Sequence, residues 1–199
     1  TVWAWGGWRA KAGPKSVDTL LCLFPFEPPY FTPHGVDAVA VGHPYAQVNP
    51  LDRATARSIL GLDDGRVLAL LPGSRKREVM TLLPKMLEAA GQLVARDPSL
   101  QVILPVAASV EKLVAPMIAE LPFVQLYPQQ MSPAVMAAGD FGLICSGTAT
   151  LEAALSGLPG HVYYQTDPIT TFFGQFLVNK KNIVLANAVA GVKIYPLSL

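Results

Sequence analysis

Cys145-Ser146-Gly147-Thr148-Ala149-Thr150-Leu151-Glu152-Ala153-Ala154-Leu155-Ser156-Gly157-Leu158-Pro159 follows directly on the apolar run Phe141 to Ile144, and within it Leu151, Ala154, Leu155 and Leu158 recur at helical spacing. The pattern predicts a strand, a tight turn and a helix. A turn of that kind leaves the first N–H groups of the helix unpaired, with the positive end of the helix dipole behind them, so an anion such as a diphosphate is favoured there. Gly147 permits close approach, and Ser146, Thr148 or Thr150 can add hydroxyl donors. Glu152, one turn into the helix, has a carboxylate that can accept hydrogen bonds from adjacent hydroxyls of a ribose. The alternative reading is a helix capped by Thr148, with Glu152 in a capping role.

Working outward, strands and helices alternate. Strands are expected at 67–71, 101–106, 124–127, 141–144 and 161–164, and helices at 79–94, 110–118, 133–138 and 169–178. Alternation at this spacing implies parallel βαβ units, hence an α/β, Rossmann-like doubly wound parallel sheet whose ligand sits beyond the carboxyl ends of the strands. The strand at 67–71 ends in Pro72-Gly73-Ser74-Arg75, which offers a flexible backbone, a hydroxyl and a guanidinium suited to bidentate phosphate contact. The competing reading of Arg75 is a solvated pair with Glu78. Neither G-x-x-x-x-G-K-[ST] nor G-x-G-x-x-G occurs, and G-x-S-x-G is absent too, which argues against an ATPase loop, a standard dinucleotide fingerprint and a hydrolase elbow.

Upstream, strands are expected at Thr19 to Phe24, as a buried strand, and at Val36 to Val41, with a turn at Gly42-His43-Pro44. His43 has no serine or cysteine nearby to form a nucleophile pair, and reads as structural. Residues 45–49 turn polar, and Asp52 is placed to cap a short helix carrying Ala56, Ile59 and Leu60. The expected organisation is a first segment 1–44, then 45–66 as linker and first helix, then 67–199 as the Rossmann-like domain.

The 199 residues include 15 basic and 14 acidic side chains, a formal charge of +1 that argues against wholesale nucleic-acid binding. Hydrophobic residues make up 51% and charged residues 15%, which points to large interfaces or membrane proximity. No apolar run reaches the roughly 18 residues needed to span a bilayer, so the chain is expected to be soluble or peripheral. Cys22 and Cys145 lie in apolar runs without a partner thiol or a histidine at metal-ligand spacing, and read as buried free thiols. Trp3, Trp5 and Trp8 beside Arg9, Lys11 and Lys15 suit a membrane interface or ligand groove, or an aromatic cluster at a strand end. The helix expected at 169–178 carries Phe172, Phe173 and Phe176, a stripe that reads as core or, with Lys180-Lys181, as a lipid-facing surface.

Val2-Trp3-Ala4-Trp5, Pro25-Phe26-Glu27, Gly42-His43-Pro44, Leu70-Leu71-Pro72-Gly73-Ser74-Arg75, Ser146-Gly147-Thr148-Ala149-Thr150-Leu151-Glu152 and Asn187-(x)3-Gly191 occur in an order that resembles the lipid-A-disaccharide synthase family of bacterial glycosyltransferases. The resemblance implies a GT-B architecture of two Rossmann-like domains, of which this chain holds the tail of the acceptor-side domain and most of the UDP-sugar domain, lacking the amino-terminal part and the carboxyl-terminal end. It also implies transfer of 2,3-diacylglucosamine from UDP to 2,3-diacylglucosamine 1-phosphate, with inversion, to give a β-1,6 disaccharide and UDP at the cytoplasmic face of the bacterial inner membrane. On that mapping Gly73, Ser74, Arg75, Ser146, Gly147 and Thr148 face the diphosphate, Glu152 holds the ribose and Asn187 lines the same pocket. No cofactor is implied, no metal cluster is visible, and the general base falls outside this chain. Gln165 stands where the family commonly has arginine, and Val192 and Leu197 where it often has charged residues. The alternatives are a UDP-N-acetylglucosamine 2-epimerase-like enzyme, which shares the architecture, and a non-catalytic nucleotide-binding fragment.

Overall fold

The structure, a computed structural model, describes residues 7–12, 17–164 and 184–198. Trp3, Trp5, Lys15, Gln165 and the helix expected at 169–178 lie outside the described residues. The chain divides into two compact units, Thr1–Asn49 with Thr166–Lys193, and Pro50–Gln165 with Ile194–Leu199. The described residues 184–193 group with the first unit.

In the first unit, α1 (Arg9–Ala12) precedes β1 (Thr19–Cys22) and β2 (Asp37–Ala40), which pair in parallel from Thr19 opposite Asp37 to Cys22 opposite Ala40. The strand expected to be buried is only partly so: Cys22 is buried, but Leu21 is 65% exposed, because side chains alternate between the two faces of a strand. The Pro25-Phe26-Glu27 turn has a local reason for its glutamate, whose carboxylate accepts the Phe24 N–H at 3.0 Å. His43 is structural, as its surroundings in the sequence suggest. Its Nδ1 accepts the Tyr45 N–H at 3.2 Å, and its ring stacks on Phe24 at 5.5 Å between centroids. Trp8 is exposed, with the Arg9 guanidinium 5.7 Å from its ring centroid. A short helix, α7 (Leu185–Ala190), closes at Gly191, whose φ of 69° is left-handed and whose N–H donates to the Asn187 carbonyl at 3.0 Å. The spacing Asn187-(x)3-Gly191 is thus that of a helix C-terminus.

The second unit is a single six-stranded parallel sheet. It runs through α2 (Arg53–Leu60), β3 (Val67–Leu71), α3 (Lys76–Arg96), β4 (Gln101–Val106), α4 (Glu111–Ile118), β5 (Val124–Pro128), α5 (Ser132–Ala138), β6 (Phe141–Cys145), α6 (Thr148–Leu155), β7 (Gly160–Tyr163) and β8 (Leu197–Ser198). The strand order is β5-β4-β3-β6-β7-β8, which is the doubly wound dinucleotide-fold order with its reversal between β3 and β6. All five residues of β3 are buried, as a central parallel strand covered on both faces requires. Against one face packs α3, which turns Val79, Leu82, Leu83, Met86, Leu87 and Ala90 inward onto Leu68, Leu70, Val102, Leu104 and Leu143. Asp52 caps α2 as expected, accepting the Thr55 N–H at 2.9 Å.

The amino end of this sheet is closed by charge pairing. Asp140, the residue before β6, accepts from Arg53 at 2.5 Å, from Arg57 at 2.7 Å and from the Val67 N–H at 2.8 Å, so one carboxylate ties α2 to the starts of β3 and β6. Arg57 also reaches the Ala138 carbonyl at 3.3 Å. Nearby, the buried Tyr195 hydroxyl donates to the Leu158 carbonyl at 2.6 Å, holding the segment that leads into β7.

Candidate diphosphate site at the sheet reversal

β3 and β6 are neighbours in parallel register, with Leu71 opposite Ile144, so the chain leaves both strands at the same level and on the same edge. That edge is the carboxyl end, where a doubly wound sheet opens a crevice at its reversal. After β3 come Pro72, Gly73, Ser74 and Arg75, and then α3. After β6 come Ser146 and Gly147, and then α6. Two helix N-termini therefore begin beside one another, each bringing a positive dipole end to one edge of the sheet.

Each loop needs its glycine for a stated reason. Gly147 is the N-cap of α6 with φ 145° and ψ −155°, backbone that is essentially confined to glycine, and an added Cβ there would meet nothing within 4 Å. Gly147 and Thr148 are exposed and Ser146 is half-buried, so this turn faces open space. Gly73 has φ 95°, and a Cβ there would collide with the Glu78 carboxylate.

Arg75 is 83% exposed at its side chain and pairs with Glu78 at 2.8 Å. The solvated pair weighed from the sequence is thus the arrangement seen. It leaves Arg75 at the mouth of the loop, next to Ser74, which is also exposed. Both charges are felt at the end of β6: burial pushes the Cys145 thiol up to about 12, the Glu78 carboxylate adds to that rise and the Arg75 guanidinium opposes it. Cys145 is a buried free thiol, as is Cys22.

Two sequence expectations are corrected. The N-cap of α6 is Gly147 and not Thr148, because the left-handed backbone has to fall on the residue without a Cβ; Thr148 becomes the first helical residue. Thr150 is fully buried and its hydroxyl donates to the Gly147 carbonyl at 2.8 Å, so it braces the turn and is not presented as a ligand donor. Glu152 is half-buried one turn on, at i+4 from the exposed Thr148 and so on the same face of α6. Its carboxylate has no hydrogen-bond or ion-pair partner among the described residues. Asn187, half-buried on α7, belongs to the first unit. The structure thus groups Gly73, Ser74, Arg75, Ser146, Gly147, Thr148 and Glu152 in one unit. Glu78, the third residue of α3, stands at the capping-box position, and its carboxylate accepts the Arg75 N–H at 3.3 Å.

Comparison with known proteins follows the same outline. The family model described as lipid-A-disaccharide synthetase matches residues 1–199. A lipid-A-disaccharide synthase of Geobacter sulfurreducens is 40% identical over 199 residues, covering 98% of this chain and 52% of its own length. One from Xylella fastidiosa is 42% identical over 208 residues, covering 98% and 53%. The chain therefore spans about half the length of the curated relatives it matches. Among solved structures, an S. aureus TarM mutant crystallised with fondaparinux, alpha-GlcNAc-glycerol and UDP superposes with a TM-score of 0.50 at 15% identity, over 89% of this chain and 35% of that one. At that identity the likeness concerns the fold alone, which is α/β with parallel sheets.

Proposed function

Because this chain belongs to the lipid-A-disaccharide synthetase family, we propose that its second unit is the UDP-sugar-binding half of a transferase that moves 2,3-diacylglucosamine from UDP to 2,3-diacylglucosamine 1-phosphate, forming the β-1,6 disaccharide of lipid A and releasing UDP. The observation that carries this reading is the pairing of the Gly73–Arg75 loop with the Ser146–Thr148 turn at the reversal of the sheet. The epimerase-like and non-catalytic alternatives are not favoured by the relatives.

In the proposed mechanism the leaving group is a diphosphate that gains negative charge as the glycosidic bond breaks. Two helix N-termini and the Arg75 guanidinium lie where that charge develops, and groups fixed in advance stabilise it more in the transition state than in the ground state. Glu152 accepts hydrogen bonds from the ribose hydroxyls and so favours nucleotide over free diphosphate. The base that deprotonates the acceptor hydroxyl is proposed to lie in the half of the relatives' length that this chain does not span, and the 199 residues alone are expected to bind nucleotide without turnover. The reading places the protein at the cytoplasmic face of the inner membrane as a peripheral protein; none of the described helices is long and apolar enough to cross a bilayer.

Calorimetry with UDP, uridine and pyrophosphate tests the site. In Glu152→Gln, affinity for UDP and uridine is expected to drop about three-fold, the scale of one exposed hydrogen bond, with pyrophosphate unaffected. Equal loss for all three ligands would remove the ribose role of Glu152, and failure of the parent chain to bind UDP or pyrophosphate would remove the reading as a whole.

A further inference from the structure

We infer that Glu78 is a resident counter-anion of the site: its carboxylate holds the Arg75 guanidinium and backbone N–H until an incoming diphosphate displaces it. The inference rests on the diphosphate reading above. Glu78 Oε1 accepts from the Arg75 guanidinium at 2.8 Å and Oε2 accepts the Arg75 N–H at 3.3 Å. The same carboxylate lies over Gly73, where an added Cβ would collide with Oε2 and stand 3.1 Å from the Glu78 Cβ. Its charge also reaches the end of β6, where it raises the Cys145 thiol. An internal anion thus occupies the loop in which the first helix N-terminus and Arg75 would receive phosphate oxygens.

Two anions sharing one guanidinium and one N–H repel each other and compete for the same donors. Binding is therefore an exchange, in which Glu78 swings out and the phosphate takes its hydrogen bonds. Three consequences follow. Arg75 is kept ordered before ligand arrives, weakly held anions are rejected, and the returning carboxylate helps expel the released diphosphate. Glu78 acts through Arg75 and is a positioning residue.

The test is calorimetry of pyrophosphate and UDP on the 199-residue chain in four forms: parent, Glu78→Gln, Arg75→Ala, and the double variant. Glu78→Gln keeps an acceptor for the Arg75 N–H, and a urea titration checks that it folds. The Arg75 end of the pair is solvated while the Glu78 side chain is 27% exposed, so removing the carboxylate is expected to tighten both ligands only about two- to five-fold. Arg75→Ala is expected to weaken both about ten-fold, and the gain from Glu78→Gln is expected to vanish in the Arg75→Ala background. A purely structural cap would give the opposite sign, a loss of affinity. If Arg75→Ala weakens binding while Glu78→Gln leaves it unchanged or weaker, the counter-anion role is overturned and the site stands. If Arg75→Ala leaves pyrophosphate binding unchanged, or the parent chain binds neither ligand, the diphosphate reading falls and this inference with it.

Discussion

At the amino end of β3 and β6 the charges are matched within the protein: Asp140 is shared by Arg53, Arg57 and the Val67 N–H, and the Tyr195 hydroxyl is spent on the Leu158 carbonyl. At the carboxyl end of the same two strands the backbone takes conformations that only glycine holds easily. There Arg75 stands mostly in solvent, and Thr148 and Gly147 face open space. The contrast separates stability from binding along the length of two strands. Polar groups at the amino end are used up in holding the sheet, whereas at the carboxyl end the solvent-facing Arg75, paired with Glu78, and the open Gly147–Thr148 turn lie where an anion can reach them.

The sharpest way to break this division is Asp140→Ala. It leaves the Val67 N–H without its acceptor and a mostly buried Arg57 without its counter-charge, and is expected to cost about 3 kcal/mol in urea denaturation while pyrophosphate affinity of the folded fraction is unchanged. A ten-fold loss of affinity with intact stability would mean that the two ends are not separable. Gly147→Ala probes the opposite end. The backbone there penalises any Cβ by about 2 kcal/mol, yet nothing stands in the way of the added methyl. Lower stability together with weakened UDP binding is therefore expected, and a variant as stable as the parent would show that the turn relaxes freely.

Tyr195→Phe gives a smaller effect, about 1 kcal/mol from one buried hydrogen bond, and it carries a pH signature. Burial pushes the Tyr195 phenol up to about 12, from an ordinary value of 10.0. The folded state therefore favours the protonated phenol. Its contribution is complete below about pH 10 and is lost as pH rises through about 12. The phenylalanine variant should lose less stability over that range than the parent, and identical alkaline profiles would contradict the role given to burial. These measurements, with the three-fold effect of Glu152→Gln and the counter-anion test of Glu78, rank the contrast from its strongest consequence to its weakest.

Much of the second unit was legible because its strands are apolar runs bounded by glycine and proline. Val67–Leu71 and Gln101–Val106 were read with the bounds the structure shows, and Phe141 to Ile144 fell one residue short. The helix starts were less legible. α3 begins at Lys76 and not at Val79, because its first turn is polar and is held by the Arg75–Glu78 cap, which hydrophobic periodicity does not register. β8, only two residues long, carried no periodic signal; it exists because Val162 and Tyr163 offer it a paired edge.

The order of residues alone determined the alternation of strands and helices, the two glycine turns and the presence of Arg75 and Glu152 near helix starts, because these follow from local preference and periodicity. Folding in three dimensions decided which turns lie side by side, that Thr150 faces inward, that Asp140 gathers two arginines from 83 and 87 residues away, and that Glu78 folds back over Gly73. The physical reason is that contacts between distant segments depend on strand order and register, which no local pattern encodes.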